Sequence, residues 1–392
     1  MKKLLISLIT AAAFASGGFC ADKNLPPELD ALISHGINSI HGLEFDAADK
    51  DFNDILAKYP GQPYGYFGLA MSQWGRLEYQ HEESSRELSD SYEKKTDEAI
   101  AKGEAWLKKY PNDPHAHLCV GGMYGLRSRL ALMKHSWLTA YFTGKKGLKH
   151  MKQALKLDPE LYDAWLGPGM YEYYAGTLPS VVRILAKVLI SGDPNTGIKY
   201  LELVKDKGRY TATAAKLLLI EIFTQTGSKY ENPQLALEWS KELRKEYPNH
   251  PMLHFVEIVS LYESGKFDEV RAEAEEYLKR IDNKTPLYSP NYTPRALIAL
   301  GTSYLAQKRF GEAVQAFARA VPAAGEKPNR WAVWAVVRLG NIYDLQGDRK
   351  LAVQTYKQAL GYEDQWGFKE YITRYIKKPY TAAELPGQLP PP

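Results

Sequence analysis

One spacing occurs twice near the C-terminus and restricts the fold more than any other property of the chain. Between Thr293 and Gly325, Leu297, Leu300, Gly301, Tyr304, Phe310, Ala313, Phe317 and Ala320 stand at successive offsets of 3, 1, 3, 6, 3, 4 and 3. From Ala332 to Asp364 the same offsets give Val336, Leu339, Gly340, Tyr343, Ala352, Tyr356 and Ala359, with Gly347 two residues before the slot that Phe310 fills in the first copy. Apolar positions three and four apart share a helix face, so each copy describes two helices packed on each other. The small residues, Gly301 with Ala313 and Gly340 with Ala352, let the axes approach, and the aromatics fill the space beside them. Each such hairpin buries its apolar faces only against its neighbours, so hairpins must stack into one continuous body.

The same pattern continues upstream in degraded form, clearest in the second helix of each pair and the proline that ends it. Ala48, Phe52, Ile55 and Pro60 show offsets of 4, 3 and 5, as do Ala99, Gly103, Trp106 and Pro111, then Gly147, Met151, Ala154 and Pro159, then Ala236, Ser240, Leu243 and Pro248. A Tyr-Pro or Asp-Pro step ends one helix and pre-sets the start of the next. Gly197 to Val204 and Val270 to Tyr277 keep the helical period without the terminal proline. The reading is therefore all-α, with about eight hairpins between Glu28 and Asp364 and a capping amphipathic helix at Gly367 to Ile376. The domain organisation is a leader over residues 1–21, a helical repeat domain over 27–378, and a Pro-rich tail over 379–392 that is expected to be extended or disordered.

This pattern resembles the tetratricopeptide repeat (TPR) closely in the two C-terminal copies and more loosely elsewhere. The resemblance implies an α-α superhelix, a TPR-like solenoid whose first helices line a concave groove. It places Arg295, Ile298, Thr302 and Leu305, then Trp334, Val337, Asn341 and Asp344, on that groove. Some relatives hold C-terminal carboxylates there with paired Lys and Asn residues. Asn341 matches one Asn slot and Arg338 lies near a basic slot, but Val337 stands where a Lys is needed and Thr302 where another Asn would be. A mixed aromatic and polar groove favours an extended polypeptide instead.

Met1 to Ala21 have the charged start, twelve-residue apolar run and small-residue end of a secretory leader. They predict export, to the periplasm or envelope first and beyond the cell second. Phe19 before Cys20 departs from a lipobox, which makes a lipoprotein the lesser reading. Without Lys2 and Lys3, 48 basic residues face 46 acidic ones, a balance that does not point to nucleic acid. Cys119 is then the one cysteine clear of the leader, so packing and not disulfides must hold the fold.

Three regions depart from a plain array. Leu88, Tyr92, Thr96, Ala99, Gly103, Trp106 and Tyr110 keep a helical period that starts early, and residues 115 to 141 lack proline, which predicts long projecting helices. Trp165, Tyr171, Tyr173 and Tyr174 form an aromatic stretch, with Tyr173 and Tyr174 as groove candidates and a sugar-stacking surface as the alternative to a protein partner. Val181 to Ile190 is too short to span lipid, and membrane-surface contact there is the less favoured reading. The basic helix Lys145, Lys146, Lys149, Lys152 and Lys156 reads as a solvated outer face, with an acidic partner or an anionic surface second.

Catalytic signatures are sparse. Thr143 to Gly147 lacks the glycine and the Ser or Thr of a phosphate loop. His250 and His254 are four apart with Glu257 nearby, the weak candidates for a metal and the basis of a third reading, a metal-dependent enzyme. The leading expectation is a non-enzymatic protein-binding scaffold with no cofactor.

Overall fold

A computed structural model describes residues 25–79, 86–134, 136–177, 191–324, 330–362, 367–386 and 389. Among the described residues the helices form eight pairs and a cap. They are α1 (Pro27–His41) with α2 (Phe45–Lys58), α3 (Tyr64–Tyr79) with α4 (Arg86–Lys109), α5 (Pro114–Met133) with α6 (Trp137–Leu157), and α7 (Leu166–Thr177) with α8 (Pro194–Lys207). Then follow α9 (Ala212–Phe223) with α10 (Pro233–Glu246), α11 (Pro251–Glu263) with α12 (Phe267–Asp282), α13 (Thr293–Ala306) with α14 (Phe310–Ala323), and α15 (Arg330–Leu345) with α16 (Arg349–Leu360). The cap is α17 (Lys369–Lys377). No strand forms among the described residues.

Local chemistry starts these helices. Pro114, Pro194, Pro233 and Pro251 occupy first-turn positions, where the missing N–H has no partner to lose. The residue before each proline caps the helix: Asp113 accepts from the Ala116 N–H at 2.9 Å, and Asp193, Asn232 and His250 do the same for their own helices.

The small-against-aromatic expectation holds in the packing. A Cβ on Gly301 would sit 2.6 Å from the Phe317 ring, one on Gly340 2.4 Å from Tyr356, and one on Gly68 2.0 Å from Phe52. All three rings are buried. In the fourth pair the glycine faces backbone instead of a ring, since a Cβ on Gly197 would meet the Tyr173 backbone nitrogen at 2.5 Å. Successive first helices touch each other, α1 with α3, α3 with α5, α11 with α13 and α13 with α15, while successive second helices meet more sparsely. The array therefore curves with its first helices inside.

The 24-residue α4 begins at Arg86, as the early period from Leu88 required. Residues 115 to 141 are not one helix: α5 stops at Met133 and α6 starts at Trp137, with the Ser136 N–H bonded to the Ala131 carbonyl at 2.8 Å. No Gly or Pro marks this turn, so the periodicity alone ran through it. Val181 to Ile190, Gln80 to Ser85 and the leader lie outside the described residues.

The first unit also contacts the middle of the array. Asp30 of α1 accepts from the Arg209 guanidinium and the Tyr210 hydroxyl. Buried Asp163 in turn holds the N–H groups of Arg209, Tyr210 and Thr211 at 3.0, 2.8 and 2.7 Å. At the other end of α1, the His41 ring lies 6.2 Å from Tyr247, beside His250.

Two outcomes follow from this packing. Gly340→Val drives a side chain into Tyr356 and is expected to cost about 1–3 kcal/mol in urea unfolding, whereas Gly311→Ala, which meets nothing within 4 Å, should leave the midpoint in place. Burial lowers His41 to about 4, and burial with the nearby His41 lowers His250 to about 4. The unfolded chain binds these protons more readily, so their contribution is complete above about pH 6.5 and is lost as pH falls towards 4. Denaturant midpoints at pH 7.5, 5.5 and 4.5 should show that decline, and His41→Phe with His250→Asn should make it shallower.

Candidate functional site

The inner wall divides into a filled half and an open half. In the filled half, over α11, α13 and α15, the side chains expected to line the groove are interior. Arg295 lies with its guanidinium 4.1 Å from the Tyr292 ring centroid, and Thr302 is buried with its hydroxyl on the Ile298 carbonyl at 2.7 Å. Trp334 is only 2% exposed because the cap lies on it, Phe368 at 4.9 Å and Tyr371 at 5.9 Å between ring centroids. Arg338 stacks 5.0 Å over Trp334 and donates to Asn341 Oδ1 at 3.2 Å. Asn341 donates to the Tyr356 hydroxyl at 2.8 Å, which donates to Asp344 at 2.9 Å. These five candidates are thus corrected from ligand-facing to structural residues.

The cover over this half continues into the C-terminal segment. Where the composition led to an extended or disordered tail, residues 379–386 dock on the wall. The Tyr380 N–H donates to Asp344 at 2.8 Å, and the Pro386 carbonyl accepts from Tyr262 of α11 at 2.9 Å. Tyr380 is buried and its hydroxyl holds the Glu384 carbonyl at 2.9 Å, while Glu384 reaches back to the Thr381 N–H at 2.9 Å. The segment thus runs from α15 back to α11, against the direction of the array. Composition reads the prolines as disorder, but Tyr380, Leu385 and Leu389 give this segment apolar anchors in the C-terminal core.

The open half lies over α3, α5, α7 and α9. Tyr174 is 39% exposed there and its hydroxyl lies 3.4 Å from Glu221. Arg129 bonds Glu78 at 2.7 Å and stacks 5.3 Å over Trp74, and its charge acts on both Glu221 and Tyr174. Glu221 stays open to solvent, yet the surrounding protein raises its carboxyl above the ordinary range by desolvation, offset in part by Arg129. Tyr173 is not a groove residue: at 2% exposure it packs edge-on to Tyr230 and donates to Gln225 at 3.2 Å. Trp165 is half-buried and lies 4.3 Å from Tyr200 between ring centroids.

Glu78, Arg129 and Glu221 escaped the reading of the sequence because they stand on three separate helices. The signal that would have found them is position, near the C-terminal end of a first helix, the level that Tyr174, Tyr262 and Asp344 share. The histidine pair has other work. His250 caps α11 through the Leu253 N–H at 3.3 Å, and buried His254 has both ring nitrogens engaged, with Tyr288 and with Glu273 at 3.0 Å each.

Residues 292–361 match the family described as tetratricopeptide repeat. No curated protein matches the chain. Among solved structures the chain is similar to yeast Tom70, at 10% identity over 86% of each chain with a TM-score of 0.39. It is similar to a human IFIT1 dimer with PPP-AAAA, at 15% identity over 91% of this chain and 86% of that one with a TM-score of 0.46. It is also similar to the TPR2AB-domain:pHSP90 complex of yeast Sti1, at 15% identity over 84% and 98% with a TM-score of 0.23.

Trp334→Ala should cost about 3–5 kcal/mol in urea unfolding because it empties the contact under the cap. Tyr174→Ala should stay within about 1 kcal/mol of the parent, and equal effects of the two would contradict the division of the wall.

Proposed function

We propose that this chain, whose residues 292–361 match the tetratricopeptide-repeat family, is a non-enzymatic scaffold that holds an extended polypeptide partner on its inner wall. One observation carries the reading: the wall already holds a polypeptide, its own residues 379–386, with Asp344 accepting from the Tyr380 N–H, the Tyr262 hydroxyl donating to the Pro386 carbonyl, and apolar side chains buried beside them. Main-chain bonds supply affinity for any extended segment, and pockets for alternate side chains supply choice among them. The open half has no covering segment among the described residues, and it presents Tyr174 as an aromatic contact and Glu78, Arg129 and Glu221 as polar ones. Its two carboxylates against one guanidinium favour a partner segment that carries a basic side chain, since a cation there would relieve the desolvated Glu221. The leader pattern of Met1 to Ala21 supports export, so the scaffold works in the envelope or beyond it.

The test uses two variants of the chain with unchanged circular dichroism. A chain ending at Lys378 should bind a fluorescent peptide of residues 379–389 saturably, while the intact chain should not. Glu221→Gln with Tyr174→Ala should lose polypeptides captured from an envelope extract. A folded tail-less chain that ignores the peptide, together with undiminished capture by the double variant, would remove the support for a polypeptide-binding wall.

A further inference from the structure

The hairpin α5–α6 has a surface that the inner wall does not explain. Its helices run 20 and 21 residues, against 14 each for α13 and α14, so at 1.5 Å per residue α6 extends roughly 10 Å further than a helix of α14's length. The tip so formed exposes large apolar side chains: Leu138 at 75%, Trp137 at 65%, Phe142 at 60%, Leu132 at 45% and Met133 at 42%. Only three other large hydrophobic side chains among the described residues are comparably exposed, and none lies on this hairpin. Singly exposed apolar residues are ordinary, but a contiguous cluster at a protruding end marks a contact surface.

The charge behind the tip identifies the contact. From Pro114 to Leu157 there is no Asp or Glu, and there are eight Lys or Arg residues. Three of these meet acids of neighbouring helices, Arg127 with Asp97, Arg129 with Glu78 and Lys134 with Glu93. The five lysines of α6 make no ion pair among the described residues. Leu138, Phe142, Lys145, Lys149, Lys152 and Lys156 follow each other at steps of 4, 3, 4, 3 and 4, and all are exposed, so they form one stripe along α6. That stripe is apolar at its free end and cationic immediately behind it. Lys145 lies only about 5 Å along the axis from Phe142.

We propose that the tip of the α5–α6 hairpin docks on an anionic lipid surface, with Trp137, Leu138 and Phe142 entering the headgroup boundary and the nearest lysines, Lys145 and Lys149, reaching the phosphates. No described helix is long and apolar enough to cross a membrane, so the contact is peripheral. An apolar tip about two helical turns deep matches the 5–10 Å at which interfacial segments bury their apolar residues. Long lysine side chains can lay their stems on the acyl boundary and keep the ammonium at the headgroups. Of the two places the sequence offered for surface contact, Val181 to Ile190 lies outside the described residues, and the tip adds an apolar end to the other, the α6 lysines.

The test is flotation of the full chain with vesicles of phosphatidylcholine alone or with 30% phosphatidylglycerol, beside Leu138→Glu with Phe142→Glu and Lys145→Gln with Lys149→Gln. Residues 1–24 are common to all three proteins, so differences report the hairpin. The parent should float with anionic vesicles, release in 0.5 M salt, and bind the neutral ones poorly. The apolar double variant should lose anionic binding, and the lysine variant should bind about fivefold less tightly for each lysine removed. Equal flotation of parent and apolar variant would overturn the proposal. So would sedimentation velocity showing that the parent self-associates without lipid and the apolar variant does not, because the tip would then be an interface between copies. All four substituted residues are exposed, and matching thermal melts exclude unfolding as the cause.

Discussion

A small residue facing a buried ring is the contact on which this architecture depends. Where Gly301 meets Phe317, Gly340 meets Tyr356 and Gly68 meets Phe52, a single Cβ would overlap the ring. Close approach brings two helix backbones near enough for the ring to fill the gap between them, and dispersion and apolar burial then act over the whole seam. Each hairpin depends on its neighbours for the rest of its core, so the array is cooperative along its length, and the second helix of one unit forms the floor for the next.

Curvature brings a second set of demands. With first helices on the inside, polar ends from distant units converge, and the structure meets this with buried carboxylates. Asp163 gathers three N–H groups at the entrance to α9, and Asp30 ties α1 to the same loop across 179 residues of sequence. Asp344 serves the last unit in the same way, accepting from Tyr356, Arg349 and the Tyr380 N–H. Such carboxylates are stabilising only while fully bonded, and all three are. The same inner wall that closes the C-terminal units is therefore unavailable there as an empty groove, and the open part is displaced towards the middle of the array.

The hairpin pattern was legible almost residue by residue, down to the glycine positions and the early start of α4. It was legible because helix period, small-residue spacing and Pro boundaries are all short-range properties. The break between α5 and α6 was not, since no Gly or Pro marks it. The groove residues fared worse. Arg295, Thr302, Trp334, Arg338 and Asn341 do stand on first helices of the inner wall, but all five are buried, Arg295 among Phe255, Tyr292 and Trp331 and Trp334 under the cap. Tyr174 alone of the candidates remains partly open, and its partners Glu78, Arg129 and Glu221 come from helices up to 143 residues apart.

What the sequence alone determined is the unit: which residues form helices, which pair into hairpins, and that hairpins stack, because these depend on contacts between residues a few turns apart. It also held the acid-free stretch from Pro114 to Leu157 in plain view. What only the tertiary structure decided is which faces stay open. Exposure depends on where the superhelix returns to its own first unit and where the C-terminal segment comes to rest, and both are fixed by long-range packing that no local period encodes.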